Sequence, residues 1–309
     1  AIVHCGGIFC RKFSPFCYLS ATAEKSFGHF PQRNHSLTVT CNLKKRNLIL
    51  IFLAFGMWHI AFSQQTEVEK YYVRADTLFI SQLTEAYNTS TEELLKTLEV
   101  KNDRREDLGF GYQLKESGKG VGSTSFNYKI LYYKNEVVAY ELSTYIKANK
   151  SIRLKNLYKK RLSAMFKVSD NYEVEPIYSG IDRAGYPLDG AEKRTDNKLN
   201  KIMNPFAGII FGNRCGIVMN VLNNRELFNE IINTDNCEYL LYSINPATRL
   251  MAVEFYYCNP TEFSENQKNS IDLRIEELKK VPLLTRNCYG CNVGSELTEK
   301  TITELKNCR

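Results

Sequence analysis

Apolar and polar positions change rhythm several times along this chain. Asn47 to Phe62 is a nearly unbroken apolar run directly behind Lys44-Lys45-Arg46. From Glu67 to Tyr87, Tyr71, Ala75, Leu78, Phe79 and Leu83 recur at helical spacing, which predicts a helix ended by Asn88-Thr89. Ser90 and Glu93 form a capping box ahead of Leu94, Leu95 and Leu98, so a short second helix is expected. Phe126 to Ile146 is rich in Tyr, Ile and Val and is broken by Lys134-Asn135-Glu136, the pattern of a β-hairpin. In Ser151 to Phe166, Leu154, Leu157, Tyr158, Leu162, Met165 and Phe166 form one stripe, with Lys155, Lys159 and Lys160 on the wet side.

Beyond residue 178 the periodicity lapses. Gly180, Gly185, Pro187 and Gly190 are mixed with charges as far as residue 205, which reads as a long loop. Ala207 to Val221 reads as a buried strand containing Cys215, and Asn224 as the cap of a helix carrying Leu227, Phe228, Ile231 and Ile232. Cys237 to Cys258 alternates well enough to pair about Ala247-Thr248. That register sets Leu240 opposite Phe255, Tyr242 opposite Val253 and Ile244 opposite Met251, giving one apolar face. It also sets Cys237 across from Cys258, predicting a disulfide whose loop closure contributes about 3 kcal/mol. A helix from Ser264 to Val281 follows, with Ile271, Ile275 and Leu278 inward.

These elements predict an α+β fold of antiparallel hairpins packed against helices. Val138-Ala139-Tyr140-Glu141-Leu142 echoes Met251-Ala252-Val253-Glu254-Phe255, which suggests two similar hairpin–helix halves, 64–177 and 206–309, joined by the loop 178–205.

The first apolar run changes the picture of the whole chain. Three cations, a short apolar core and Ala61-Phe62-Ser63 make a signal peptide over 43–63, cleaved before Gln64. The run is shorter than the roughly 20 residues that cross a bilayer, so no stable membrane span is expected after cleavage. Met57 is the first methionine, and residues 1–42 read as upstream sequence outside the native protein. Cleavage would remove seven cations (Arg11, Lys12, Lys25, Arg33, Lys44, Lys45, Arg46) and one acid (Glu24), so the formal charge of +7 falls to +1. A near-neutral body gives no reason to expect nucleic acid as a partner. All four histidines (His4, His29, His35, His59) and Trp58 leave too, which excludes histidine-based triads and general-base chemistry from the exported body. The expected location is the periplasm or the extracellular space.

Candidate chemistry is sparse. Gly118-Lys119-Gly120-Val121-Gly122 has the glycines of a phosphate loop, but Gln113 and Gly120 stand where that motif needs Gly and Ser or Thr, so a flexible connection is expected. Glu173, Glu175, Asp182 and Asp189 are the acids a glycan hydrolase would draw on, and their spacing is not that of a calcium loop. Cys215, Cys288, Cys291 and Cys308 are further disulfide candidates in an oxidising compartment. Cys288-Tyr289-Gly290-Cys291 has thiol–disulfide oxidoreductase spacing, or with Cys308 that of a zinc site, but lies far from the βαβ start where such dithiols work.

Asn269-Ser270-Ile271-Asp272-Leu273-Arg274-Ile275-Glu276-Glu277-Leu278-Lys279-Lys280-Val281-Pro282, with the hairpin before it, resembles the C-terminal domain of TonB-type proteins over residues 237–284. The box that precedes that domain in the family has its nearest match in Glu175-Pro176-Ile177-Tyr178-Ser179-Gly180, and the proline-rich spacer is absent, so the resemblance implies a shared fold rather than energy transduction. The leader ending in Ser63-Gln64-Gln65 is similar to those of exported Bacteroidota proteins. The sequence therefore points to an exported binding or envelope-structural protein without a cofactor, meeting a protein or glycan partner. A carboxylate-dependent glycan hydrolase is the first alternative and a Cys288/Cys291 thiol oxidoreductase the second.

Overall fold

The computed structural model describes residues 45–100 and 105–307, with side chains from residue 67 onward. The chain divides into two compact units, Ala1–Trp58 and His59–Arg309, and the second carries everything described below apart from the start of the first helix. No helix among the described residues is long and apolar enough to cross a membrane.

Helix α1 (Lys45–Thr89) is followed by α2 (Thr91–Thr97), whose cap Ser90 accepts from Glu93 N at 3.1 Å. Four antiparallel strands come next, β1 (Glu106–Gly109), β2 (Tyr112–Gly120), β3 (Ser125–Tyr133) and β4 (Glu136–Thr144). The β3–β4 turn falls where the sequence places it, with Lys134 and Asn135 both at positive φ, as a tight hairpin requires. Helix α3 (Ile152–Leu162) returns the chain to a fifth strand, β5 (Ile177–Ser179), and the sheet runs in sequence order from β1 to β5. On one face Phe126, Tyr128, Ile130 and Tyr132 of β3 meet Phe79, Ile80 and Leu83 of α1 and Tyr158 and Leu162 of α3 in a common core. On the other, Leu114, Leu131 and Ala139 pack under Phe206, Ile209 and Ile244.

The remainder is mostly helical: α4 (Ile181–Ala184), α5 (Asn197–Met203), the two-residue strands β6 (Arg214–Cys215) and β7 (Asn220–Val221), α6 (Asn223–Ile231), α7 (Thr234–Leu240), α8 (Pro246–Cys258), α9 (Glu265–Lys279), the hairpin β8 (Leu284–Tyr289) and β9 (Asn292–Leu297), and α10 (Thr298–Leu305). Helices α5 to α10 share one core that includes Ile202, Met203, Leu250, Met251, Ile271, Ile275 and Ile302. The architecture is thus α+β, with helices on both faces of an antiparallel sheet.

Several expectations are corrected. The hairpin expected over Cys237 to Cys258 is two helices. Asn245 accepts from Ala247 N at 3.0 Å and Pro246 takes the first helical position, where its missing N–H costs nothing. The likeness of Val138–Leu142 to Met251–Phe255 therefore pairs a strand with a helix, and the chain is not two hairpin–helix halves. Residues 178–205 are not one long loop, since they include α4 and α5, the latter capped by Asp196 accepting from Lys198 N at 2.7 Å. Ala207 to Val221 is not a buried strand, since Ile217 and Val218 at the β6–β7 tip are 90% and 80% exposed. Asn224 is buried rather than capping, and donates to the carbonyls of Gly208 and Ile210, each at 3.0 Å. The glycine-rich connection is mostly strand β2.

Candidate functional site

A charged row crosses the sheet. In the antiparallel register Glu116 of β2 lies beside Lys129 of β3, Lys129 beside Glu141 of β4, and Glu141 beside Tyr178 of β5. All four project to the face opposite α1, because alternate residues of a strand share a face. Lys129 Nζ donates to Phe206 O at 2.7 Å and stands 3.8 Å from Glu141 Oε1. Burial pushes the Glu141 carboxyl above its ordinary value of 4.5, opposed by the Lys129 charge and reinforced by that of Glu116.

The β4–β5 end of this row floors a pocket of about 320 Å³, within the range of small-molecule sites. Tyr178, Ile181 and Phe206 give it apolar surface, while Glu141, Asp182, Asn197, Asn200, Lys201 and Asn204 give it polar groups. The chain reaches this shape through Gly180, at φ +65°, where an added Cβ would come within 2.2 Å of Val138 O. That residue turns the chain from β5 directly into α4, so that Tyr178 and Asp182 face one cavity. Asn200 donates its Nδ2 to Arg194 O at 3.2 Å, while its Oδ1 has no hydrogen-bond partner. Asp182 stands 3.9 Å from Lys193 Nζ.

The four acids singled out in the sequence do not converge. Asp182 lies in this pocket. Glu173 lines a separate pocket of about 400 Å³ with Tyr145 and Tyr172. Glu175 pairs with Lys167 at 2.7 Å on the surface. Asp189 sits at positive φ (58°) and pairs with Arg274 Nη1 at 2.7 Å, beside a second buried arginine, Arg249, which burial and then the Arg274 charge bring down to about 9. Glu141, Lys129 and Asn200 were missed. The signal that could have found the first two is a lysine and a glutamate at facing positions of an otherwise apolar hairpin.

The cysteines are also rearranged. Cys215 bonds Cys288, and Cys258 is in a disulfide of its own, so the expected Cys237–Cys258 bond is not formed. Cys237 is a buried free thiol in α7 that donates to Ala252 O at 3.4 Å, and burial pushes it up to about 12. Cys288 and Cys291 flank the β8–β9 turn and are not joined to each other, the second being free and exposed. That is not the helix N-terminus a redox dithiol uses. Cys308 lies outside the described residues. Among the described residues no cluster of three or more His, Cys, Asp or Glu is placed to hold a metal ion. A maleimide reagent at neutral pH is therefore expected to label Cys291 in the native protein and Cys237 only after unfolding. Mass mapping of the labelled peptides checks this, and native labelling of Cys237 at the rate of Cys291 would contradict it.

A second concavity of about 790 Å³ lies between β1–β2 and the β8–β9 hairpin. Its lining includes Glu106, Asp107 and Glu116 but no aromatic side chain, and Arg286 is 3.5 Å from Glu106. The pocket over Glu141 is the better candidate because aromatic and amide groups converge there around a half-buried carboxyl.

No protein-family model matches the chain, and no characterised protein or solved structure is significantly similar to it.

Proposed function

We infer that this chain is an exported, non-catalytic binding protein whose ligand occupies the pocket over Glu141. The observation that carries the reading is the convergence of Tyr178, Phe206, Asn200, Asp182 and Glu141 on one concave site of small-molecule size. The leader pattern over 43–63 and the disulfides support export. The lack of any histidine after His59 supports binding over most acid–base catalysis.

Expression in a bacterial host, followed by N-terminal sequencing of the periplasmic fraction, is expected to give a chain that begins at Gln64. In NMR spectra of that material, a library of small polar fragments is expected to shift Tyr178 and Asn200, and Glu141→Ala to abolish those shifts. Fragments that gather in the groove beside Arg286 instead would refute the assignment of the site.

One observation favours a second reading, a glycan hydrolase. Glu141 and Asp182 share the pocket, and a carboxyl with raised proton affinity suits a general acid. Release of nitrophenol from aryl glycosides, lost in Glu141→Gln, would select this reading.

A further inference from the structure

The polar groups of the pocket over Glu141 restrict what can bind there, given that it is the ligand site. The geometry points to a neutral, hydroxyl-rich ligand, a sugar ring of a glycan, seated with its C–H face on Tyr178 and its hydroxyls among Asn200, Glu141 and Asp182.

Hydrogen-bond capacity is the first constraint. Asn200 Oδ1 has no partner, and a carboxamide oxygen can only accept. The carboxyl oxygens of Glu141 and Asp182 add further acceptors. A ligand made of acceptors alone, such as a phosphate or a carboxylate, would offer no hydrogen to the Asn200 oxygen and would set its lone pairs against those of the two carboxylates. The ligand has to donate, and hydroxyls or amines do.

Charge decides between those two. Lys129 is 3.8 Å from Glu141 and Lys193 is 3.9 Å from Asp182, so each acid already has a cation beside it. Lys201 also lines the pocket. An ammonium ligand would enter beside Lys201 to meet two acids that each have a lysine beside them, and gains little. A hydroxyl group donates to the acids, accepts from the lysines and carries no charge to desolvate.

Shape is the third constraint. Tyr178 is half exposed, with Ile181 and Phe206 alongside in the same cavity. Apolar surface and amide and carboxyl groups within one cavity fit a pyranose, whose ring faces are C–H and whose rim is O–H. A fully apolar ligand would leave the polar wall unpaired. The clustering of planar amides (Asn197, Asn200, Asn204) beside carboxylates suits a ring of hydroxyls, since the amides both accept and donate while the carboxylates accept.

The test is a titration of the periplasmic protein with neutral oligosaccharides (malto-, cello-, xylo- and chito-series) and with oligogalacturonate, read by calorimetry and by the Asn200 side-chain amide signals in NMR. At least one neutral series is expected to bind and to move the Asn200 signals. Tyr178→Ala and Asn200→Leu are each expected to weaken that binding by about tenfold or more, the cost of a lost ring contact or a lost hydrogen bond in a desolvated site. Glu173→Gln, in the separate surface pocket, is expected to leave it unchanged. If no neutral sugar binds while polar fragments still shift Tyr178 and Asn200, or if oligogalacturonate binds more tightly than every neutral series, the ligand class is wrong and the site stands. If neither sugars nor fragments perturb the pocket, the binding-site reading itself falls.

Discussion

Asp76→Ala is expected to lower the stability of the fold by roughly 3–5 kcal/mol. Asp76 belongs to α1, is 1% exposed, and accepts four hydrogen bonds. Three come from consecutive amides of the β2–β3 turn, Gly122 at 2.9 Å, Ser123 at 2.9 Å and Thr124 at 3.3 Å, and the fourth from the Tyr158 hydroxyl of α3 at 2.6 Å. The carboxylate thereby ties two helices to the end of the sheet. Removing it leaves the turn amides and a phenol facing a small cavity with nothing to accept them, and each orphaned donor costs about 1–3 kcal/mol. Burial, then the hydrogen bond to Asp76 and its charge, push the Tyr158 phenol well above its ordinary range, so it remains a donor at any pH where the protein is handled. Tyr158→Phe is therefore expected to cost less, about 1–2 kcal/mol, because the carboxylate keeps its three amides. The double variant is expected to lose less than the sum, since the two side chains share one network. Guanidinium unfolding followed by far-UV circular dichroism measures all three. An Asp76→Ala midpoint equal to that of the unaltered protein would show that water replaces the carboxylate and that the tie is dispensable.

This buried acid also marks where sequence reading stops. In α1 the sequence pattern places Tyr71 and Leu78 on the apolar face, yet they are 70% and 60% exposed, and the buried stripe runs through Asp76, Phe79, Ile80, Leu83 and Ala86. A charged residue at the head of the packed stripe blurs that stripe in any hydrophobicity count. The loop that binds Asp76 is the same glycine-rich stretch that resembles a phosphate loop. Its amides do hold an anion, but an internal one, and Gly122 is glycine because a Cβ there would come within 2.6 Å of Tyr72 O.

The amphipathic elements were legible for the opposite reason. Helices α3 and α9 each keep one wet face, and the contrast between faces fixes both period and orientation, while the β3–β4 hairpin, covered on both faces, is legible from its Tyr, Ile and Val content and its Lys134-Asn135 turn. Helix α8 has little such contrast. Pro246 through Val253 are all buried, Thr248 and Arg249 included, so the only cues to helix were the Asn245 cap and Pro246 at its start. In the candidate site, Asp182 could be singled out because an acid in a glycine-rich segment draws notice. Glu141 stands out only once β3 and β4 are set in register, which brings Lys129 beside it, and its neighbours Glu116 and Tyr178 only once four strands are. A pocket assembled from β4, β5, α4 and α5 has no linear signature at all.

Replacing Cys215 and Cys288 together by alanine is expected to cost about 4 kcal/mol, close behind the loss of Asp76. The bond joins residues 73 apart in sequence, and in the chain-entropy account a cross-link that spans so long a loop removes much of the freedom of the unfolded chain. In the folded protein it fastens the β6–β7 hairpin to the β8–β9 hairpin along a seam that has few hydrogen bonds of its own. Phe211 N donates to Arg286 O and Cys288 N to Phe211 O, both at 2.8 Å, and Gly216 N donates to Gly290 O at 3.0 Å. Gly212 completes the seam, since an added Cβ would come within 2.5 Å of Cys288 O. The apolar tip with Ile217 and Val218 gives the β6–β7 hairpin almost no packing in return. Two consequences separate the disulfide from its surroundings. The guanidinium midpoint of the double variant is expected to fall under oxidising conditions, where Cys258 keeps its own bond, so the loss belongs to this cross-link alone. Limited proteolysis is expected to cut first between Arg214 and Val221, because local opening there no longer has to stretch a covalent tie. Unchanged midpoints, or cleavage that begins elsewhere, would mean that the three backbone hydrogen bonds hold the seam without help.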